Sequence, residues 1–108
     1  MAQNFRRYTS NDVGTAASTI FTADSYDTVV GISVANVTTS AILADVYIND
    51  GANDIYLVKE APVPVGASLQ VLDGGAKFVV QSGDALKVKS DTASSLDVWV
   101  STVDAISS

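Results

Sequence analysis

The residues with chemistry to offer in this chain are carboxylates and amides: twelve Asp and Glu stand against six Lys and Arg in 108 residues, with no His and no Cys. They bunch most tightly at Asn49, Asp50, Asn53 and Asp54, hard oxygen donors of the kind Ca²⁺ takes. The spacing is not that of a twelve-residue calcium loop, and no bidentate Glu follows. Asn-Asp-Gly is what a tight turn needs in any case, because these residues tolerate positive φ and bond to nearby backbone. The segment therefore reads as a turn, with no metal expected. Paired carboxylates also hydrolyse glycosides. Here Asp24, Asp27, Asp50, Asp54, Asp73, Asp84 and Asp91 all fall in turn-like stretches that explain them without catalysis.

Nucleophilic chemistry fares no better. Ser and Thr are abundant, but there is no His to act as base, and none of the four lysines sits in a Ser-x-x-Lys arrangement. Without Cys or His, thiolate catalysis, disulfides and the usual Zn²⁺ ligand sets are excluded. Asp73-Gly74-Gly75-Ala76-Lys77 has a superficial likeness to a phosphate loop, yet it lacks the Gly-Lys-Ser/Thr pattern and opens no helix. No enzyme and no cofactor are expected. Asn36-Val37-Thr38 spells a glycosylation sequon, which matters only in a secretory pathway. The net charge of −6 argues against nucleic acid as a partner, because that affinity comes mainly from Lys and Arg. No apolar run approaches the ~20 residues that span a bilayer, and MAQNFRRYTS lacks the apolar core of a secretory signal. A soluble protein made in a cytoplasm, with no membrane partner, is the expectation.

Behind these residues lie elements with a period of two. The clearest is Ala44 to Val58: Ala44, Val46 and Ile48 alternate with Asp45, Tyr47 and Asn49, the chain breaks at NDGAND, and it resumes with Ile55 to Val58. That is a β-hairpin. The same grammar predicts strands over Thr15–Ala23, Thr28–Val37, Ser68–Leu72, Lys77–Gln81, Ala85–Ser90 and Leu96–Val103, with turns at Asp73-Gly74-Gly75 and Ser82-Gly83-Asp84. Val30, Ile32 and Val34 share one face, and Gly31 lies on the other with Val29 and Ser33, as a possible bulge or contact point. Pro62 and Pro64 each remove a backbone donor, so Lys59 to Gly66 is expected to cross between sheets. Lys87 and Lys89 face out, as edge strands require. About eight short strands without helical periodicity predict an all-β, two-sheet antiparallel β-sandwich, jelly-roll-like in preference to immunoglobulin-like.

Residues 15–108 form this single sandwich domain, and residues 1–14 precede it as an N-terminal arm. The arm holds both arginines, Arg6 and Arg7, flanked by Phe5 and Tyr8, so the remainder carries the acidic excess and a neighbouring subunit is the natural target. A frayed terminus or a first edge strand of the same domain is the other reading of that segment. Trp99 and Tyr47 fall opposite the Val/Ile/Leu face. Such aromatics are interface anchors, sugar-stacking platforms, or rim residues under a loop. Charged residues are only 17%, and Val and Ala are in surplus for one small core, which favours an interface made of Phe5, Arg6, Arg7, Tyr8, Tyr47 and Trp99.

Val29 to Ala105 resembles the small virion structural proteins of tailed bacteriophages, particularly marine cyanophages. The residues that carry the likeness are the Asn-Asp-Gly turn, Tyr56-Leu57-Val58-Lys59, Pro62-Val63-Pro64-Val65-Gly66, Ser82-Gly83-Asp84 before Leu86-Lys87-Val88, and Asp97-Val98-Trp99-Val100. The resemblance implies a virion component that decorates or cements the capsid, or sits on the neck, tail or fibres, and it carries no catalytic residues across. Expected partners are the chain itself, as a homotrimer or other ring closed by swapped arms, and virion proteins such as the major capsid protein. The rival is a carbohydrate-binding receptor-recognition module that stacks sugars on Tyr47, Tyr56 or Trp99.

Overall fold

Alternation of Val, Ile and Ala with polar residues suits a pleated surface wetted on one side, and turn-forming Gly, Asn and Asp interrupt it every few residues. A computed structural model describes residues 4–23, 27–71 and 78–104, and there the regular elements are all strands. They are β1 (Asn4–Val13), β2 (Ser18–Thr22), β3 (Asp27–Asn36), β4 (Ile42–Asn49), β5 (Asp54–Val63), β6 (Ser68–Gln70), β7 (Phe78–Val80), β8 (Ala85–Ser90) and β9 (Leu96–Asp104). All pair antiparallel. One sheet runs β1-β9-β3-β6, with β7 also on β3, and the other runs β2-β8-β4-β5. Since β6 takes Ser33 to Ala35 and β7 takes Asp27 to Val29, the two act as one interrupted edge strand.

The chain crosses between sheets after almost every strand, so its first and last strands are neighbours. This is jelly-roll-like wiring. An immunoglobulin-like sandwich would pair β1 with β2, and here β1 pairs with β9. Between the sheets lie Val29, Ile32 and Val34 from β3, Ala44, Val46 and Ile48 from β4, Leu86 and Val88 from β8, and Leu96, Val98 and Val100 from β9. Among the described residues, nine of the eighteen in this core are Val.

Three local expectations are corrected. Val29 faces inward and is fully buried, whereas Val30 is exposed, because a register shift between Val29 and Gly31 inserts a residue and reverses the alternation. β5 continues through Pro62 to Val63. It is an edge strand, where a missing N–H costs no ladder bond, so the crossing is confined to Pro64–Ala67, closed by Ala67 N–H donating to the Pro64 carbonyl. β8, which carries Lys87 and Lys89, lies inside its sheet between β2 and β4. Asn4–Val13 forms strand β1, at an edge of the first sheet and laid along β9. The expected turn at Asp73-Gly74-Gly75 lies outside the described residues.

Candidate attachment surface

In β9, Leu96, Val98, Val100 and Thr102 are buried, so Asp97, Trp99 and Ser101 point away from the core. Register places Thr9 of β1 on one side of Trp99 and Ser33 of β3 on the other. Trp99 is 51% exposed, as its position in the alternation required. Arg7, one position along on the same face of β1, sets its guanidinium 5.4 Å from the centre of the Trp99 ring. At an exposed site such a cation–π contact contributes about 0.5–1 kcal/mol and limits the freedom of both side chains. Small residues surround the pair. Ser33 and Ala35 leave a groove of about 380 Å³ beside the indole, bordered by Thr9, Asn11 and Asp97. One Asp97 carboxylate oxygen accepts the Asp12 N–H at 3.3 Å.

The other residues expected at an interface are distributed differently. Tyr8 lies between Arg7 and Thr9 in β1 and therefore points inward. Its ring stacks on Phe21 at 4.5 Å with the planes 12° apart, and it packs against the core. Arg6 is exposed and pairs across the ladder with Thr102. Phe5 pairs with Val103 through its backbone, and its side chain lies outside the described residues. Tyr47 is on the outer face of the second sheet as expected, yet only 7% exposed. The Tyr56 ring sits 4.9 Å away, with Lys59 over Tyr56 at 5.0 Å. Burial, with Asp54, Tyr56 and Asp45 nearby, pushes the Tyr47 hydroxyl above its ordinary range. In that cluster Tyr56 and Lys59 are exposed. Alternation marked Tyr47 as outward, but only cross-strand register shows that Tyr56 covers it.

The acidic loop spends its oxygens on its own backbone. Asn49 Oδ1 accepts the Gly51 N–H at 2.9 Å, and Asp50 Oδ1 accepts those of Ala52 and Asn53 at 3.0 and 2.8 Å. Asn49 Nδ2 donates to Asp54 at 2.7 Å, and Gly51 takes φ 95°. The amides of Asn53 and Ala52 hold the Asp50 carboxyl below the usual carboxylate range. Among the described residues, no three His, Cys, Asp or Glu converge as a metal site would require. The sequon asparagine is buried. Asn36 is 6% exposed, with its Nδ2 donating to the carbonyls of Ser40 and Val63.

No protein-family model matches the chain, and no curated protein matches its sequence. Solved structures are similar to it to differing degrees. A chain from the disulfide-linked pili that form Bacillus endospore appendages superposes with a TM-score of 0.57 at 14% identity, covering 94% of this chain and 84% of that one. Two crystal structures of a pentameric capsid protein from metagenomic phage sequences give TM-scores of 0.48 and 0.49 at 19% and 20% identity. They cover 91% of this chain and 60% and 61% of theirs. The pilus likeness is one of fold, and its disulfide linkage has no counterpart in a chain without cysteine.

Proposed function

We propose that this chain is a non-enzymatic structural subunit of a phage particle, an oligomeric decoration or cement protein attached to the capsid surface through the outer face of its first sheet. The observation that carries the reading is Trp99, half exposed and held by Arg7 on a sheet face otherwise lined by small residues. Trp and Arg are the residue types that most often dominate interface energetics, and this pair is already ordered before any partner arrives. The sequence resemblance to virion proteins supplies the particle. Neck, tail or fibre attachment is the alternative location.

A second reading rests on the groove beside Trp99. An open indole with Asn11, Thr9, Ser33 and Asp97 around it also fits a neutral sugar, which stacks on the ring and bonds through its hydroxyls. The test is cryo-electron microscopy of purified particles carrying the wild-type chain or Trp99→Ala. Density repeating over the capsid lattice, lost with Trp99→Ala, is the expected result. Density confined to the neck, baseplate or fibres moves the protein to the tail and directs the next test to glycan binding. Particles with no density and no peptide from this chain overturn the particle reading.

A further inference from the structure

Asp50-Gly51, at the tip of the β4–β5 hairpin, is a chemically labile junction. Glycine has no Cβ to shield its backbone nitrogen, so in an open chain the Gly51 nitrogen can attack Cγ of Asp50. An N–C bond forms and closes a succinimide ring. The N–H proton and one carboxyl oxygen leave as water, with a further proton from solvent where the carboxyl is ionised, and a second water reopens the ring at either carbonyl. Reopening at the main-chain carbonyl gives isoaspartate, which inserts a side-chain carbon into the backbone. The insertion would fall inside the turn that Asp50 N–H closes by donating to the Asn53 carbonyl at 3.1 Å.

We propose that the hydrogen bonds of this turn protect Asp50-Gly51 from isomerisation by engaging both reacting groups, with Asn49 as the residue that guards the nucleophile. The Gly51 N–H donates to Asn49 Oδ1 at 2.9 Å. Attack requires that nitrogen to lose its proton, and the resulting amide anion would face the lone pairs of the oxygen that had accepted it. The bond therefore favours the unreactive, protonated amide. Asn49 is itself held in place, because its Nδ2 donates to Asp54 at 2.7 Å across the last pair of β4 and β5.

The electrophile is engaged as well. Asp50 Oδ1 accepts the N–H groups of Ala52 and Asn53 at 3.0 and 2.8 Å, beyond the glycine, so ring closure has to release the side chain from both. The Asn53 and Ala52 amides also hold the carboxyl below its ordinary range and hence ionised at neutral pH, and a carboxylate is a poor target for a nucleophile. Burial contributes none of this. Asp50, Gly51, Ala52 and Asn53 are all exposed, so water reaches the junction freely and protection falls to the hydrogen bonds. It is independent of what the chain attaches to. The bunching of Asn49, Asp50, Asn53 and Asp54, which forms no metal site, thus acquires a chemical consequence in the durability of the hairpin.

Isoaspartate at residue 50 is read by peptide mapping of the purified full chain after prolonged incubation at neutral pH, which also separates it from the second Asp-Gly pair, Asp73-Gly74. The folded chain is expected to form it at least about tenfold more slowly than the same chain unfolded in guanidinium, since the ring closes only after several of these bonds break. Asn49→Ala removes the acceptor for Gly51 N–H and speeds the reaction in the folded chain by about two- to tenfold. Asn49→Asp combined with Asp54→Asn restores an acceptor oxygen at 49 and a donor at 54 without changing net charge, and returns the rate to within about twofold of the wild type. Far-UV circular dichroism and thermal melts establish that each variant is folded during the incubation. Equal rates in the folded and unfolded chain, a folded Asn49→Ala variant no faster than the wild type, or a double variant as fast as Asn49→Ala overturns the proposal.

Discussion

At Asn36 one buried amide ties three stretches of chain together. Its Nδ2 donates to Ser40 and Val63 at 2.8 and 3.0 Å, while its Oδ1 accepts the Thr38 N–H and hydroxyl at 2.8 and 2.7 Å. All its bonding capacity is used inside the protein. Replacing it with Ala leaves the Val63 carbonyl without this donor and removes the clamp on the turn after β3, so Asn36→Ala is expected to cost about 2–4 kcal/mol. Urea unfolding monitored at Trp99 measures this directly. The sequence showed the same residues as Asn36-Val37-Thr38, a glycosylation motif. What it could not show is burial, and with it the reason Thr38 follows two positions later: it is the partner of the asparagine's own oxygen. Trp99 is the contrasting case, because its exposure followed from alternation alone in a strand without interruption.

Strands and turns were legible wherever the chemistry is local. Ala44 to Val58 folds as the predicted hairpin, and the Asn49–Asp54 loop uses its oxygens as turn residues do. Bulges were not legible, because an inserted residue is specified by the fit between two strands. Gly31 sits at such a shift, and a Cβ added there meets nothing within 4 Å. Gly31→Ala is therefore expected to stabilise the protein by about 0.5 kcal/mol, through the reduced freedom of the unfolded chain. Gly14 is the opposite case. A Cβ there would stand 3.1 Å from Ser94 N and 3.3 Å from Ala93 Cα, both backbone atoms that do not yield easily. Gly14→Ala should cost about 1–3 kcal/mol as an overpacked site. Paired thermal melts of the two variants test whether space, and not glycine itself, decides the sign. Pro62 teaches the related lesson about edges: a proline rules out a central strand, but an outermost one accepts it.

Over the whole molecule, the first strand closes the sheet that the last strand enters. Deleting residues 1–10 uncovers the β9 edge and removes Tyr8 from Phe21, so it should lower the melting temperature by more than about 10 °C, as the loss of a few kcal/mol does in a domain of this size. A free arm would leave the melt unchanged. The amino-acid sequence by itself determined the all-β class, most strand spans, the inward face of each uninterrupted strand, and the lack of thiol and imidazole groups. These depend on residue type and near neighbours only. Tertiary structure decided the rest. Strand order joins residues far apart in the chain, so nothing local announces that β1 lies on β9 or that Arg7 meets Trp99 from the opposite end of the sequence. Register shifts reverse a face without altering composition, which moved Val29 inward and Val30 outward. Cover depends on which side chain stands across the ladder, and that hid Tyr47 beneath Tyr56 while leaving Trp99 open between Thr9 and Ser33.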